Sequence, residues 1–410
     1  MTDKTHDPKL ISWVESANTP AADFPIQNLP FGSFLQRGEE RPRLGVAIGD
    51  MVLDAGELCG VPSMRALMDL PRSKRSNLRQ RLSDYLSKYT PGAERFLVPM
   101  SEVTIVMPCQ IPDYTDFFTS LYHATNVGSM FRPGNPLSPN YKWMPIAYHG
   151  RASSVVLSGA TIRRPRGQIL PDPAGPPVYA PTRQLDYELE LGAFIGPGNA
   201  IAEPIPLARA EEHLVGVCLL NDWSARDIQI WESQPLGPFL AKNFATSISP
   251  WIVTMEALEP FRGPVPGRDP SDPRPLLYLD NGGAGAFRIT MEVWLRSANM
   301  KEAVQVSSGD FSSMYWTLGQ MVAHHTSNGC PLRSGDLIGS GTVSGPEKQN
   351  RGCLLELTRR GSDPLELPGG EVRTFLEDGD EVIFKGWCEA PGYKRIGLGE
   401  CRGVVQRALD

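Results

Sequence analysis

The stretch 185–195, LDYELELGAFI, alternates strictly: Leu185, Tyr187, Leu189, Leu191, Ala193 and Ile195 share one parity, and Asp186, Glu188 and Glu190 the other. Period-two alternation over this length predicts a strand with an apolar and an acidic face. Glu188 and Glu190 then stand about 7 Å apart on that face, at about 3.3 Å per residue. Glutamate is not favoured in strands, and adjacent like charges repel unless something positive lies between them. Two readings fit. The acidic face is solvated, or the pair holds a divalent cation. Asp186, on the same parity, is assigned no role and is the solvated residue that the first reading expects.

The rest of the chain must decide. It has 410 residues, 41% hydrophobic and 21% charged, as expected of a globular chain of two or three domains. Forty Gly and thirty-eight Pro, with many short alternating runs, favour a mainly β (α+β) fold. The net charge of -6 argues against nucleic-acid binding. Seven scattered Cys without a C-x-x-C pair form neither a disulfide framework nor a zinc site. No run approaches the roughly 18 apolar residues of a membrane span, and the N-terminus has no apolar signal core. A cytoplasmic protein is expected.

Residues 1 to about 40 read as irregular, with His6 in a mobile tail. Leu44 to Leu53 reads as a hairpin turning at Gly49-Asp50. Ser63 to Asp69 and Ser73 to Lys88 read as helices, the second a surface helix with solvated charges. From Ile111 the texture changes to a long loop dense in aromatic, His, Asp, Arg and Asn residues, more like a site than a linker. Ser154 to Arg164 and Leu214 to Leu220 read as strands, Ser224 as a helix N-cap, Asp310 to Ser327 as a helix, and Cys353 to Leu357 as part of a β-rich second half. Lys242 lies in an apolar, turn-rich setting, either snorkelling or buried beside an anion. Gly339 to Gly345 is a tight turn or an anion cradle.

Carboxylates without clustered His or Cys suit a hard cation such as Ca²⁺ or Mg²⁺. Glu188, Glu190, Asp222, Asp113 and Asp116 are the candidate ligands. His123, His149, His213, His324 and His325 are the candidate general bases. The spacing alone does not choose among them.

The segments DYTDFFTSLYHATNVGSMFR, YHGRASS, LDYELELGAFIGPGN, NDWSARDIQ, PLGPFLAKNF, HHTSNGCPLRSGDL and SGTVSG, in this order, resemble the fumarylacetoacetase family. The resemblance is densest from 113 to 402. It implies a small SH3-like β-barrel over residues 1–112 and a mixed β-sandwich roll over 113–410, paired as a homodimer. The implied reaction is hydrolysis of the carbon–carbon bond of 4-fumarylacetoacetate to fumarate and acetoacetate, the last step of tyrosine and phenylalanine breakdown. Matched position by position, Asp116, Glu188, Glu190 and Asp222 hold a Ca²⁺ or Mg²⁺ ion. His123 is the general base, oriented by Glu356. Arg226, Gln229 and Lys242 stabilise the leaving carbanion, and Arg132, Tyr148 and Thr342 bind substrate. The family pattern has tyrosines where this chain has Phe118 and Ser233 in the substrate site. That difference leaves room for a related acylpyruvate-type β-diketo acid, or for isomerase or decarboxylase chemistry on the same scaffold.

Overall fold

The computed structural model describes residues 2–265 and 268–410. The chain is α+β and mainly β. Residues 31 to 106 supply a five-stranded antiparallel sheet in the order Leu97–Pro99, Met51–Asp54, Arg43–Ile48, Phe31–Leu35, Thr104–Val106. The hairpin turns at Gly49-Asp50 as expected, and Gly49 takes the left-handed φ of 58° that the turn requires. The 72–87 helix packs Leu78, Leu82 and Leu86 inward. Its charges are not all solvated: Arg79 is buried and donates to the carbonyls of Gln27 and Asn28 and to Thr5 Oγ1. These bonds also fix the N-terminal residues, so His6 is buried against the Glu256 carbonyl rather than mobile.

Two further sheets carry the rest. One has eight strands, running Ala147–Gly150, Tyr114–Phe117, Leu337–Gly339, Leu189–Ile195, Leu214–Asp222, Thr246–Ile248 and Val155–Leu157, with Val253–Thr254 also on Leu214–Asp222. The other orders Val304–Asp310, Thr290–Arg296, Glu381–Cys388, Ile396–Gln406 and Thr161–Arg163. Their facing side chains share one core, in which Leu189, Leu191 and Ala193 meet the same cluster as Leu219, Met291, Val293, Phe384 and Leu398.

The 185–195 stretch is buried throughout. Its apolar parity faces that core as expected. The other face is not solvated: Phe194 belongs to a second core with Val215, Leu220, Leu337 and residues of the five-stranded sheet, among them Val46 and Ile48. The strand is also interrupted. Leu185–Asp186 pairs with Ser224–Ala225, and the long strand begins only at Leu189. At the break the Glu188 N–H donates to the Asn221 side chain instead of a ladder carbonyl.

Other segments depart from the sequence reading for local reasons. The expected loop after Ile111 is a strand, Tyr114–Phe117, and an eleven-residue helix, Leu121–Phe131, capped by Ser120 Oγ on the His123 N–H. Short length and polar content hide both. Ser154–Arg164 splits into two strands, Val155–Leu157 and Thr161–Arg163, on different sheets, turning at Gly159 with φ 91°. Ser224 does not cap a helix: its hydroxyl donates to the Asp222 carbonyl, and the helix starts at Arg226. Asp310 caps only a short turn, and the helix proper, Leu318–Thr326, starts from a Thr317/Gln320 capping box. Cys353–Leu357 is not a strand but a single helical turn, Leu354–Leu357.

Candidate active site

Four buried carboxylates converge where strand ends meet. Asp116 lies on Tyr114–Phe117, beside Gly339 of the adjacent parallel strand. Glu190 lies near the start of Leu189–Ile195, Glu188 at the break before it, and Asp222 at the last position of Leu214–Asp222. One oxygen from each lies within 4.8 Å of the others.

Two sides of this cluster differ in charge balance. Lys242 Nζ donates to Glu188 Oε2 and to Asp222 Oδ2, both at 2.6 Å. Arg226 Nη1 donates to Glu188 Oε1 at 2.6 Å and to Gln229 Oε1 at 3.2 Å. Burial would raise the Glu188 carboxyl, but the Lys242 and Arg226 charges hold it well below the usual range. Lys242 is thus buried beside anions, and they hold its ammonium above its ordinary value against burial.

Among the described residues no cation bonds Asp116 or Glu190 directly, although the Lys242 charge reaches Asp116. Burial first, and then neighbouring carboxylates, push both well above the usual range. Among the described residues no donor group reaches Asp116 Oδ1 or Glu190 Oε1, both buried, and the two carboxyls lie close enough to share a proton, a costly state when both are ionised. The backbone keeps room beside them, since a Cβ on Gly339 would fall 2.4 Å from Asp116 Oδ1 and 3.0 Å from Glu190 Oε2. The Gly341 N–H donates to Glu190 Oε2 at 3.0 Å, so the glycine-rich turn does cradle an anion, one supplied by the chain. Orphaned oxygens, an all-carboxylate donor set and space kept by a glycine fit a hard divalent cation.

Across the same cavity stands His123, on the Leu121–Phe131 helix. Its Nδ1 lies 2.6 Å from Glu356 Oε2. Glu356 is completely buried and also accepts from Asn126 Nδ2 at 2.8 Å, Ser344 Oγ at 2.9 Å and Cys353 Sγ at 3.2 Å. Burial would raise its carboxyl, but the His123 charge and these hydrogen bonds bring it down to about 2. An ionised Glu356 can only accept, so Nδ1 carries a proton in either charge state of the ring, and Nε2 is the acceptor when the ring is neutral.

The cavity has a volume of about 580 Å³. Asp116, Phe118, His123, Arg132, Tyr148, Glu188, Arg226, Gln229, Ser233 and Lys242 all line it. Tyr148 also donates to Asp222 Oδ2 at 2.7 Å. Phe118 sets its ring edge-on to His123, centroids 5.1 Å apart. Thr342 follows Gly341 of the cavity wall, but it is buried and its hydroxyl has no partner among the described residues. Glu190, Asp222 and Glu356 lie just behind the wall.

The other sequence candidates lie elsewhere. Asp113 pairs with Arg333 at the surface, His325 with Thr115, His324 with Tyr278, and His213 with the Pro197 carbonyl. His149 is exposed and lies outside the cavity wall. A larger cavity of about 1050 Å³ lies around Arg72, Glu211 and Arg262, whose charges already pair with one another or with Glu259. Sequence reasoning missed Asn126, Ser344 and Asp186. Asn126 had a signal, since it falls one helical turn after His123. Asp186 is fully buried, not solvated, because Arg226 and three backbone N–H groups converge on it.

Comparison with known proteins identifies the family of the chain. Residues 114–406 match the family model described as fumarylacetoacetate (FAA) hydrolase C-terminal, and residues 27–108 that described as fumarylacetoacetase N-terminal. The chain is 47% identical over 411 residues to the fumarylacetoacetase of Homo sapiens, covering 95% of this chain and 97% of that protein. It is 46% identical to the Arabidopsis thaliana fumarylacetoacetase, covering 93% and 95%. Among solved structures, a fumarylacetoacetate hydrolase from Exiguobacterium antarcticum aligns with a TM-score of 0.53 at 18% identity, covering 92% of this chain and 99% of the other, a likeness of fold. The chain belongs to the fumarylacetoacetase family.

Proposed function

We propose that this protein hydrolyses the carbon–carbon bond of 4-fumarylacetoacetate, releasing fumarate and acetoacetate, the last step of tyrosine and phenylalanine catabolism. The observation that carries this reading is the pairing, across one cavity, of the His123–Glu356 dyad with a four-carboxylate cluster flanked by Arg226 and Lys242.

His123 is the general base. Its Nδ1 donates to Glu356, so Nε2 takes a proton from water. The hydroxide adds to a carbonyl carbon of the β-diketone. Collapse breaks the adjoining carbon–carbon bond and leaves a carboxylate on the attacked fragment. The bonding pair departs with the other fragment as an enolate-like carbanion, which takes up a proton. Arg226 and Lys242 place positive charge beside that carbanion before it forms, and Gln229 orients Arg226. Arg132, Tyr148, Thr342, Phe118 and Ser233 shape the substrate site. Asp116, Glu188, Glu190 and Asp222 would hold Ca²⁺ or Mg²⁺, which when bound polarises and orients the diketone oxygens. Phe118 and Ser233 in place of tyrosines favour a second reading of the substrate alone, an acylpyruvate-type β-diketo acid.

The proposed units are residues 1–112, SH3-like, and 113–410, catalytic; a boundary near 112 is in keeping with the separate matches over 27–108 and 114–406. Seven free cysteines suit the reducing cytoplasm. A homodimer is the proposed assembly. No helix among the described residues is long and apolar enough to cross a membrane.

The test is to incubate purified protein with fumarylacetoacetate and Mg²⁺ or Ca²⁺ and assay fumarate. Release that a chelator abolishes is the expected result. No fumarate under any of these conditions overturns the proposed substrate, and restoration by Zn²⁺ alone overturns the hard-ion site.

A further inference from the structure

Asp186 has no role in the chemistry above, yet it is completely buried and its two oxygens are fully used. Oδ2 accepts from Arg226 Nε at 2.9 Å and from the Leu355 N–H at 3.0 Å. Oδ1 accepts from the Leu354 N–H at 2.8 Å and from the Tyr187 N–H at 2.9 Å. Leu354 and Leu355 open the single helical turn that carries Glu356. One carboxylate therefore joins two groups that stand on separate parts of the chain, the carbanion-facing guanidinium and the turn behind the general base.

We infer that Asp186 is a positioning residue that ties Arg226 and the Glu356 turn into one unit, so that base and carbanion site keep a fixed spacing. The inference rests on the roles proposed above for His123, Glu356 and Arg226. Charge alone does not explain the arrangement. Glu188 already faces the Arg226 guanidinium at 2.6 Å. The bonds from Leu354 and Leu355 add nothing to that neutralisation, and their effect is to hold a turn. That turn needs holding: four residues are far too few to be stable alone, and its N-cap residue, Cys353, makes no side-chain cap.

The test is Asp186→Asn, which keeps the shape but sets an amide N–H₂ against donors on one side or the other. One of the two links must then weaken. The expected result is a kcat lower by about 10–100-fold, the scale of a small misplacement of reacting groups, with KM nearly unchanged. The downfield proton resonance of His123 Nδ1–H, bonded to Glu356, should shift or broaden. A variant that melts at lower temperature yet keeps both kcat and that resonance makes Asp186 merely structural and overturns the inference. Should Asp186→Asn not fold, Leu354→Pro tests the same link. It deletes one donor to Asp186 at the first helical position, where proline is accepted, after Cys353 in the extended backbone (φ -150°, ψ 159°) that proline requires. Its resonance should move likewise, and an unchanged resonance overturns the inference. Absence of fumarate release by the unsubstituted protein would fall on the proposed function. The resonance arm reads the positioning without any substrate.

Discussion

Two buried acidic pockets face each other across the cavity, and they are built in opposite ways. Glu356 accepts from His123, Asn126, Ser344 and Cys353, and its carboxyl sits at about 2. Asp116 and Glu190 are buried as deeply, keep orphaned oxygens and are pushed well above the usual range. Equal burial therefore gives opposite electrostatics, and the difference is the supply of donors. The first pocket is complete within the chain. The second reaches balance by holding protons or by taking up a cation. A polar pocket that the chain leaves unsatisfied marks the place of a ligand, whereas a satisfied one marks a tuned side chain.

The largest effect should come from the completed pocket. His123→Ala is expected to lower kcat by about 10²–10⁴-fold, the usual worth of a general base. Titration calorimetry with Mg²⁺ or Ca²⁺ should show metal affinity unchanged. A matching loss of metal affinity would merge the two pockets into one and break the comparison.

Next comes the open pocket. Glu190→Gln removes one of the crowded charges. In chelator the variant should melt at or above the unsubstituted protein, since it relieves repulsion. With saturating cation the order should reverse, because linkage adds about 2.7 kcal/mol to the form that binds at a hundred times its Kd. Thermal melts with and without cation decide this. A variant that is less stable in both conditions would mean that the cluster is balanced without an ion.

Half of this contrast could be read from the chain. Alternation alone placed Glu188 and Glu190 on one face, and the apolar parity of Leu189, Leu191 and Ala193 does face the core. The family resemblance named Asp116, Asp222, His123 and Glu356, and the fold brings Asp116 and His123 to one cavity wall with Asp222 and Glu356 bonded to groups that line it. Periodicity did not reveal the break before Leu189 or the burial of the acidic face, because an apolar partner on that side, such as Phe194 against Val46 and Ile48, is a tertiary fact. Nor could four residues, Leu354–Leu357, show a helical period. Asp186 was misread for the same reason. Its partners lie 40 and 168 residues away.

A smaller effect should appear on acidification. The Glu356 carboxyl lies lower in the folded chain, about 2 against its ordinary 4.5. The folded state thus favours the ionised form. That stabilisation is present above about pH 4.5 and is lost as pH falls toward 2. Glu356→Gln lacks the titrating group, so its denaturant midpoint should fall less over this range. The difference should be on the order of 3 kcal/mol, since the carboxyl moves by more than two tenfold steps in proton affinity and each is worth about 1.4 kcal/mol. Parallel acid limbs in the two proteins would show that the four donors do not tune this carboxylate.

The smallest effect should come from the cavity wall between the pockets. Phe118 sets its ring edge-on to His123, 5.1 Å between centroids, and edge-on to Tyr141 at 5.9 Å. Two ring contacts fix its orientation, so Phe118→Tyr should add a hydroxyl with little repacking. A neutral hydrogen bond is worth about 1 kcal/mol net, or roughly fivefold in binding. If fumarylacetoacetate is the substrate and uses that hydroxyl, KM should fall by about that factor while kcat and cation affinity stay put. If KM for fumarylacetoacetate rises while a smaller acylpyruvate is turned over better by the unsubstituted protein, the phenylalanine is a specificity element for the smaller acid. In that case the two pockets keep their roles and only the molecule between them changes.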